Sequence, residues 1–241
     1  MPKGHTSKKK GTIRKPPMAK GKTASKNATV KKNLKKGAAT RERILAAALK
    51  VFARHSYNSA SMRMIGKEGG FNHMIIRYHF KSKAELFEAL IKEATQEFRD
   101  NHASWFKGLA GKTPEKGFSL FLDRMLAYTL KHPEVLHLCV KNLSQPDKSN
   151  VIPGYRYIPE FLAQTRDFAM ANIPIKSSRN EFNRFIYSFN IHLFCFVGAA
   201  SVQAALLGFD PKSRKYRKWV KDTLMYLYLP NFKKLINPDR D

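Results

Sequence analysis

The stretch from Ser59 to Lys83, SASMRMIGKEGGFNHMIIRYHFKSK, reads as two short helices joined by a glycine turn. Ser61 is placed to cap a helix that runs through Lys67. Met62, Ile65 and, across the turn, Phe71 recur at the spacing that keeps one helical face buried. Gly69-Gly70 ends that helix, because glycine accepts the left-handed backbone that a helix C-terminus needs. Asn72 then caps a second helix, His73 to His79, on which Ile76 and Phe80 share the buried side. His73, Met74, Ile75, Arg77 and Tyr78 are left to point outward. A third helix starts at Ser82, where Ser82-Lys83-Ala84-Glu85 fits a reciprocal capping box and sets Lys83 at the helix N-terminus. Two helices at this spacing, the second one basic, form the unit by which chains read the major groove of DNA.

Upstream, Thr40 to His55 (TRERILAAALKVFARH) is amphipathic. Ile44, Ala47, Ala48, Val51 and Phe52 lie on one stripe, and Arg41, Glu42, Arg43, Lys50 and Arg54 lie elsewhere. With this helix in place, about fifty residues from Thr40 to Ile91 resemble the DNA-binding domain of the TetR family of bacterial transcriptional regulators. The features that agree are the Thr-Arg-Glu-Arg-Ile-Leu-Ala-Ala-Ala opening, Phe52-Ala53, Ile65 and Gly70 around the turn, Tyr78-His79-Phe80, and Lys83 with Leu86. The resemblance implies that Arg63 reaches a base or phosphate, that His73, Met74 and Ile75 face base edges, and that Arg77 and Lys83 hold phosphates. Ser61, Asn72, Tyr78 and His79 complete the expected DNA-binding set. Two departures stand out: Arg77 occupies a position where the family usually has tyrosine, and Met74 one where it often has a small residue.

Composition favours the same kind of partner. The 241 residues carry a formal charge of +27, which biases the chain toward polyanions. Residues 1–40 hold 13 lysines and arginines and no acid, leaving 32 basic against 18 acidic residues in the body. With Pro16-Pro17 and few large apolar side chains, residues 1–38 are expected to be a disordered lysine-rich arm. Such an arm either lies along phosphates, adding salt-sensitive affinity, or serves as a solubilising extension. Its cationic start is not followed by an apolar run, so no secretion signal is expected.

The expected architecture is all-α. Residues 39–84 form the helix-turn-helix domain, 85–230 a helical effector-binding and dimerisation domain, and 231–241 a C-terminal tail. Breaks fall at 108–114, 132–133, 144–154, 172–178 and 208–213, leaving room for five or six helices after the DNA-binding unit. Thr113-Pro114 supplies a cap and a first-turn proline for one of them.

Phe185 to Phe209 carries no charged residue over 25 positions. Asn190, His192, Ser201 and Gln203 interrupt it, and no second span accompanies it, so a membrane helix is rejected in favour of one that meets both its own core and a second subunit. With the amphipathic Ser213 to Tyr228 it matches what TetR-like regulators use to dimerise. Phe194, Val197, Ser201, Ala205, Trp219 and Leu224 are the expected homodimer contacts, and Gly198 to Ser201 would allow close backbone approach. A homodimer also suits a palindromic operator on double-stranded DNA.

By resemblance, a small hydrophobic effector is expected to spread the DNA-binding units and release the operator. Met125, Tyr128, His137, Tyr157, Phe161, Tyr187 and His192 are the candidate pocket residues, with Asn190 as a further polar anchor. Eight histidines without HExxH spacing, and Cys139 and Cys195 far apart, give no metal site, and the two thiols read as a buried reduced pair. No catalytic residue and no cofactor is expected. The sequence therefore points to a cytoplasmic, ligand-responsive repressor rather than an enzyme, with a low-specificity DNA-coating or nucleoid-associated protein as the alternative.

Overall fold

The computed structural model describes residues 1, 3–4, 22–142 and 152–237, in two compact units, 1–41 and 42–241. Among the described residues there are ten α-helices and no strand. The all-α architecture expected from the sequence is therefore the one observed.

The first unit departs from expectation. Helix α1, Lys22–Arg54, makes residues 22–38 helical where a disordered arm is predicted; residues 2 and 5–21 of that arm lie outside the described residues. Alanine and lysine dominate residues 22–38 and proline does not occur there, so local propensity favours the helix. Its Leu34 is nonetheless exposed, and Thr40 Oγ1 turns back to donate to the Lys36 carbonyl.

In the second unit the stripe of α1 is buried as its spacing predicts, with Ile44, Ala48 and Phe52 inaccessible to solvent. Helices α2 (Met62–Gly69) and α3 (His73–His79) follow, and α4 (Lys83–Trp105) continues from them. Phe52 and Phe87 meet edge to face at 4.6 Å, with Tyr57 against Phe87, so one aromatic cluster ties α1 to α4.

Six further helices follow among the described residues: α5 (Pro114–Lys131), α6 (Glu134–Asn142), α7 (Tyr157–Asn172), α8 (Arg179–Leu193), α9 (Ala200–Leu206) and α10 (Arg214–Ile236). Thr113 caps α5 ahead of Pro114. Ser178 and Glu181 form a full capping box on α8. The predicted break at 144–154 falls mostly outside the described residues.

Two boundaries differ from the sequence reading. The uncharged run 185–209 is not one helix: α8 passes into a π-helical turn, Phe194–Gly198, and α9 leaves it at 80°. No single helix among the described residues is long and apolar enough to cross a membrane. The second difference is the C-terminus, where α10 continues through Pro230 to Ile236, so residues 231–236 are not a tail. Leu235 is buried and its carbonyl accepts the amides of Lys176 and Ser177, which holds this end against the segment before α8.

Gly198 also has a different role from the one its composition suggests. It is buried within the chain's own core, and a Cβ there would stand 2.8 Å from the Leu136 carbonyl oxygen and 2.7 Å from Val140 Cγ2. The small side chain serves the packing of α6 on the π turn. Gly198→Val is expected to destabilise the fold by roughly 2 kcal/mol or more through overpacking, read as a lowered urea midpoint at unchanged m-value.

Candidate nucleic-acid interface and interior cavity

The helix-turn-helix forms where local chemistry dictates. Ser61 Oγ accepts the Met64 amide at 3.2 Å, and Asn72 Oδ1 accepts the Met74 amide at 3.0 Å. Between them Gly70 adopts φ +68°, the left-handed conformation that closes α2. Ile65 and Ile76 are fully buried on the shared inner side. Glu68 links back to α1 by bonding Arg54 at 3.0 Å, with Lys50 at 3.8 Å.

On α3, His73, Met74, Ile75, Arg77 and Tyr78 all face solvent, as does Arg63 on α2. Met74 is 71% exposed and Tyr78 86%. These are large side chains with no place in the core, standing on a helix only seven residues long. Together they expose apolar side chains (Met74, Ile75, Tyr78) and the cations Arg63 and Arg77.

Ser61 and Asn72 use their side-chain oxygens for the caps that the sequence predicts, while two other residues of the expected DNA-binding set, Lys83 and His79, sit differently. Lys83 does not stand free: its Nζ donates to the carbonyls of Tyr57 (2.9 Å) and Ala60 (3.1 Å) and lies 4.4 Å from the Tyr57 ring centroid. An ammonium with two carbonyls and an aromatic face satisfying it at the start of α4 fixes the loop between α1 and α2. His79 is half buried, edge-on to Tyr78. The capping box at Ser82 is also one-sided, since Glu85 Oε2 accepts the Lys81 amide rather than that of Ser82.

A cavity of about 530 Å³ lies in the second unit among α4, α5, α7, α8 and α10. Rings dominate its wall, among them Phe98, Trp105, Phe121, Phe161, Phe185 and Phe189. Of the predicted pocket residues, Met125 and Phe161 line it. Tyr128, His137, Tyr157, Tyr187 and His192 do not. Tyr128 accepts a bond from Asn101, Tyr187 packs outward near Arg166, and His192 Nδ1 pairs with the Tyr228 hydroxyl at 2.6 Å. Four of these side chains, Tyr128, Tyr157, Tyr187 and His192, find partners outside the cavity wall, which residue type alone does not reveal.

The residue missed is His102. It is 7% exposed, lines the cavity, and lies among the rings of Trp105, Phe106 and Phe168. Its signal was the stripe Phe98, His102, Trp105, at helical spacing. Burial pushes its pKa down to about 4 from the ordinary 6.5. The unfolded chain therefore binds this proton more readily than the folded one, so the stability linked to a neutral His102 is complete above about pH 6.5 and lost as pH falls through about 4. The loss amounts to roughly 3 kcal/mol. Tm is expected to fall more steeply between about pH 6.5 and 4 in the natural protein than in His102→Phe, measured by thermal melts.

The predicted dimer contacts divide. Phe194, Val197 and Leu224 are buried within the chain's own core, and Trp219 is half buried against Phe196. Ser201 and Ala205 are exposed. The large apolar residues exposed on α8 to α10 are instead Tyr187, Ile191, Val202, Leu206, Leu207, Tyr226 and Leu227, with Leu206 at 78%. Cys195 is exposed too, while Cys139 is buried, its thiol pushed up to about 12, so the two are not a buried pair. Among the described residues no three His, Cys, Asp or Glu side chains gather as metal ligands would.

Residues 44–90 match the family described as bacterial regulatory proteins, tetR family. Over 107 residues the chain is 31% identical to the HTH-type transcriptional repressor NicS of Pseudomonas putida, a match covering 44% of this chain and 50% of that protein. The chain thus spans about half the length of this curated relative. Its fold is similar to that of a transcriptional regulator from Rhodococcus sp. Rha1 (TM-score 0.58, 16% identity, covering 79% of this chain and 96% of that one). It is also similar to the fatty acid degradation regulator FadR from Bacillus halodurans (TM-score 0.56, 15% identity, covering 83% and 96%).

Proposed function

We propose, on the premise that this chain carries the helix-turn-helix of the TetR regulator family, that it is a homodimeric, sequence-specific transcriptional repressor released from its operator by a small hydrophobic ligand. The observation that carries this reading is the surface of α3, where Met74, Ile75, Arg77 and Tyr78 stand exposed over a capped and fully packed base. Exposed methyl and aryl groups beside arginines have the chemistry to meet thymine methyls, guanine edges and phosphates. The name of the Pseudomonas putida relative supports a repressor rather than an activator.

The dimer is supported by exposed apolar side chains at helical spacing. Tyr187, Ile191 and Cys195 fall on one stripe, and Val202 and Leu206 on the next element. Apolar faces of this kind mark interfaces, and a twofold pair of α3 helices suits a palindrome. Release is supported by α4, which begins at the Lys83 anchor of the DNA-reading unit and ends in the cavity wall at Phe98, His102 and Trp105. Spanning about 34 Å as one helix, it transmits a displacement at the cavity to the base of the helix-turn-helix.

Selection from a random duplex pool followed by footprinting tests the reading. A twofold-symmetric footprint with half-sites about one helical turn apart is expected. An asymmetric footprint, or one that spreads without boundaries, would count against it.

A further inference from the structure

Helix α3 lacks the groups by which proteins read two of the four bases directly. Adenine is read by a side-chain amide that donates and accepts at once, and the amino group of cytosine by a carboxylate. The seven residues of α3, HMIIRYH, contain neither an amide nor a carboxylate. Asn72, at its head, has its oxygen engaged with the Met74 amide at 3.0 Å. Glu68, the one acid of α2, is held by Arg54 and Lys50. Arg63, Lys67 and Arg77 are exposed and can only donate, which suits phosphates and the two acceptors of guanine. The His73 imidazole and the Tyr78 hydroxyl do not reproduce the adjacent donor and acceptor of an amide.

What α3 presents instead is apolar. Ile75 is 43% exposed, and Met74 and Tyr78 are more open still. Met74 and Tyr78 lie one helical turn apart on the same side, and Ile75 is three residues before Tyr78, so the three are surface neighbours. The backbone beneath them is fixed by Ile76 and Phe80, both buried. The Tyr78 ring stands edge to face with His79 at 5.2 Å. Three such side chains gain from leaving water only against a partner that offers apolar surface of its own. On the base edges of the major groove that surface is the methyl group at C5 of thymine.

We propose that α3 reads its half-site through pyrimidine 5-methyl groups, with Met74, Ile75 and Tyr78 closing around them while the arginines answer guanines and phosphates. Uracil is then a poor substitute for thymine. A 5-methylcytosine carries its methyl at the same ring position and takes the place of thymine in part, so binding responds to cytosine methylation. This inference rests on α3 being the DNA-reading helix of the proposed repressor and adds the feature of the base that it recognises.

Two random-duplex pools test it, one synthesised with thymine and one with uracil in its place, each selected on the full chain. The thymine pool is expected to converge on a sequence with thymines under α3, and the uracil pool to bind that sequence more weakly. Uracil placed singly in the converged duplex should lower affinity about fourfold at each thymine that α3 covers, as the loss of one buried methyl implies. Replacing such a thymine–adenine pair by 5-methylcytosine–guanine should cost less than replacing it by cytosine–guanine. In the double variant Met74→Ala with Ile75→Ala, whose side chains are exposed, the uracil penalty should vanish. Convergence of both pools on one sequence with equal affinity would overturn the methyl readout and leave the sequence-specific regulator standing. A uracil penalty undiminished in the double variant would also overturn it, assigning the effect to duplex shape. Convergence of neither pool would remove the regulator reading itself and this inference with it.

Discussion

Replacing Met74, Ile75 and Tyr78 together with alanine is expected to lower affinity for the selected operator by a hundredfold or more. Each side chain stands free of the core, and a base contact of this kind is worth about 1–3 kcal/mol of discrimination. Three of them, roughly additive, give about 3 kcal/mol at the least. Because nothing in the core depends on these groups, stability should change by no more than about 0.5 kcal/mol per site. Arg63, Arg77 and the remaining lysines are untouched, so affinity for random duplex should stay within about twofold of the natural protein. Equal losses on selected and random DNA would mean that α3 serves as an electrostatic surface. An unchanged operator affinity would mean that another element reads the bases.

The second large effect concerns subunit association. Ile191→Glu with Leu206→Glu places two carboxylates among exposed apolar residues without touching the protomer core. A monomer is expected by analytical ultracentrifugation at micromolar concentration, with melting of the protomer little changed. Since each half-site contact then forms independently, operator affinity should fall by about two to four orders of magnitude. A variant that still sediments as a dimer would show that the interface uses a different face. The contrast with Val197 and Leu224 is instructive, because charge at those fully buried positions would unfold the chain and say nothing about dimers.

The DNA-reading unit was legible in the sequence because short-range chemistry determines it. Ser61 and Asn72 each bond an amide two or three residues on, and Gly70 must turn left-handed, so every decision lies within a few positions. Lys83 could not be read in this way. Its partners are carbonyls 26 and 23 residues upstream, and only the folded loop brings them to the ammonium. A basic residue at a helix start in a cationic protein invites assignment to phosphate, and the structure instead employs it as an internal anchor.

The run from Phe185 to Phe209 failed for a different reason. With no charge along it, no face of it declares itself outer, so periodicity could not say whether Phe194 or Ile191 faces a partner. Packing decides: Phe194, Val197 and Gly198 meet α6 and the core, and Ile191 and Cys195 turn out. The cavity was half legible. Aromatic spacing located Phe161 and Met125, but the polar anchors depend on which side chains satisfy one another. His192 pairs with Tyr228 and lies outside the cavity, whereas Asn190 borders it.

The charge of +27 leaves one competing reading alive, in which cations coat DNA with little regard for sequence. Affinity for a selected and a random duplex, each measured at about 50 mM and about 200 mM salt, separates the two most directly. A sequence-reading repressor should hold a preference of about a thousandfold or more at the higher salt, since the phosphate contribution weakens on both duplexes alike. A preference below about tenfold at that salt would contradict it and identify a protein that binds DNA for its charge.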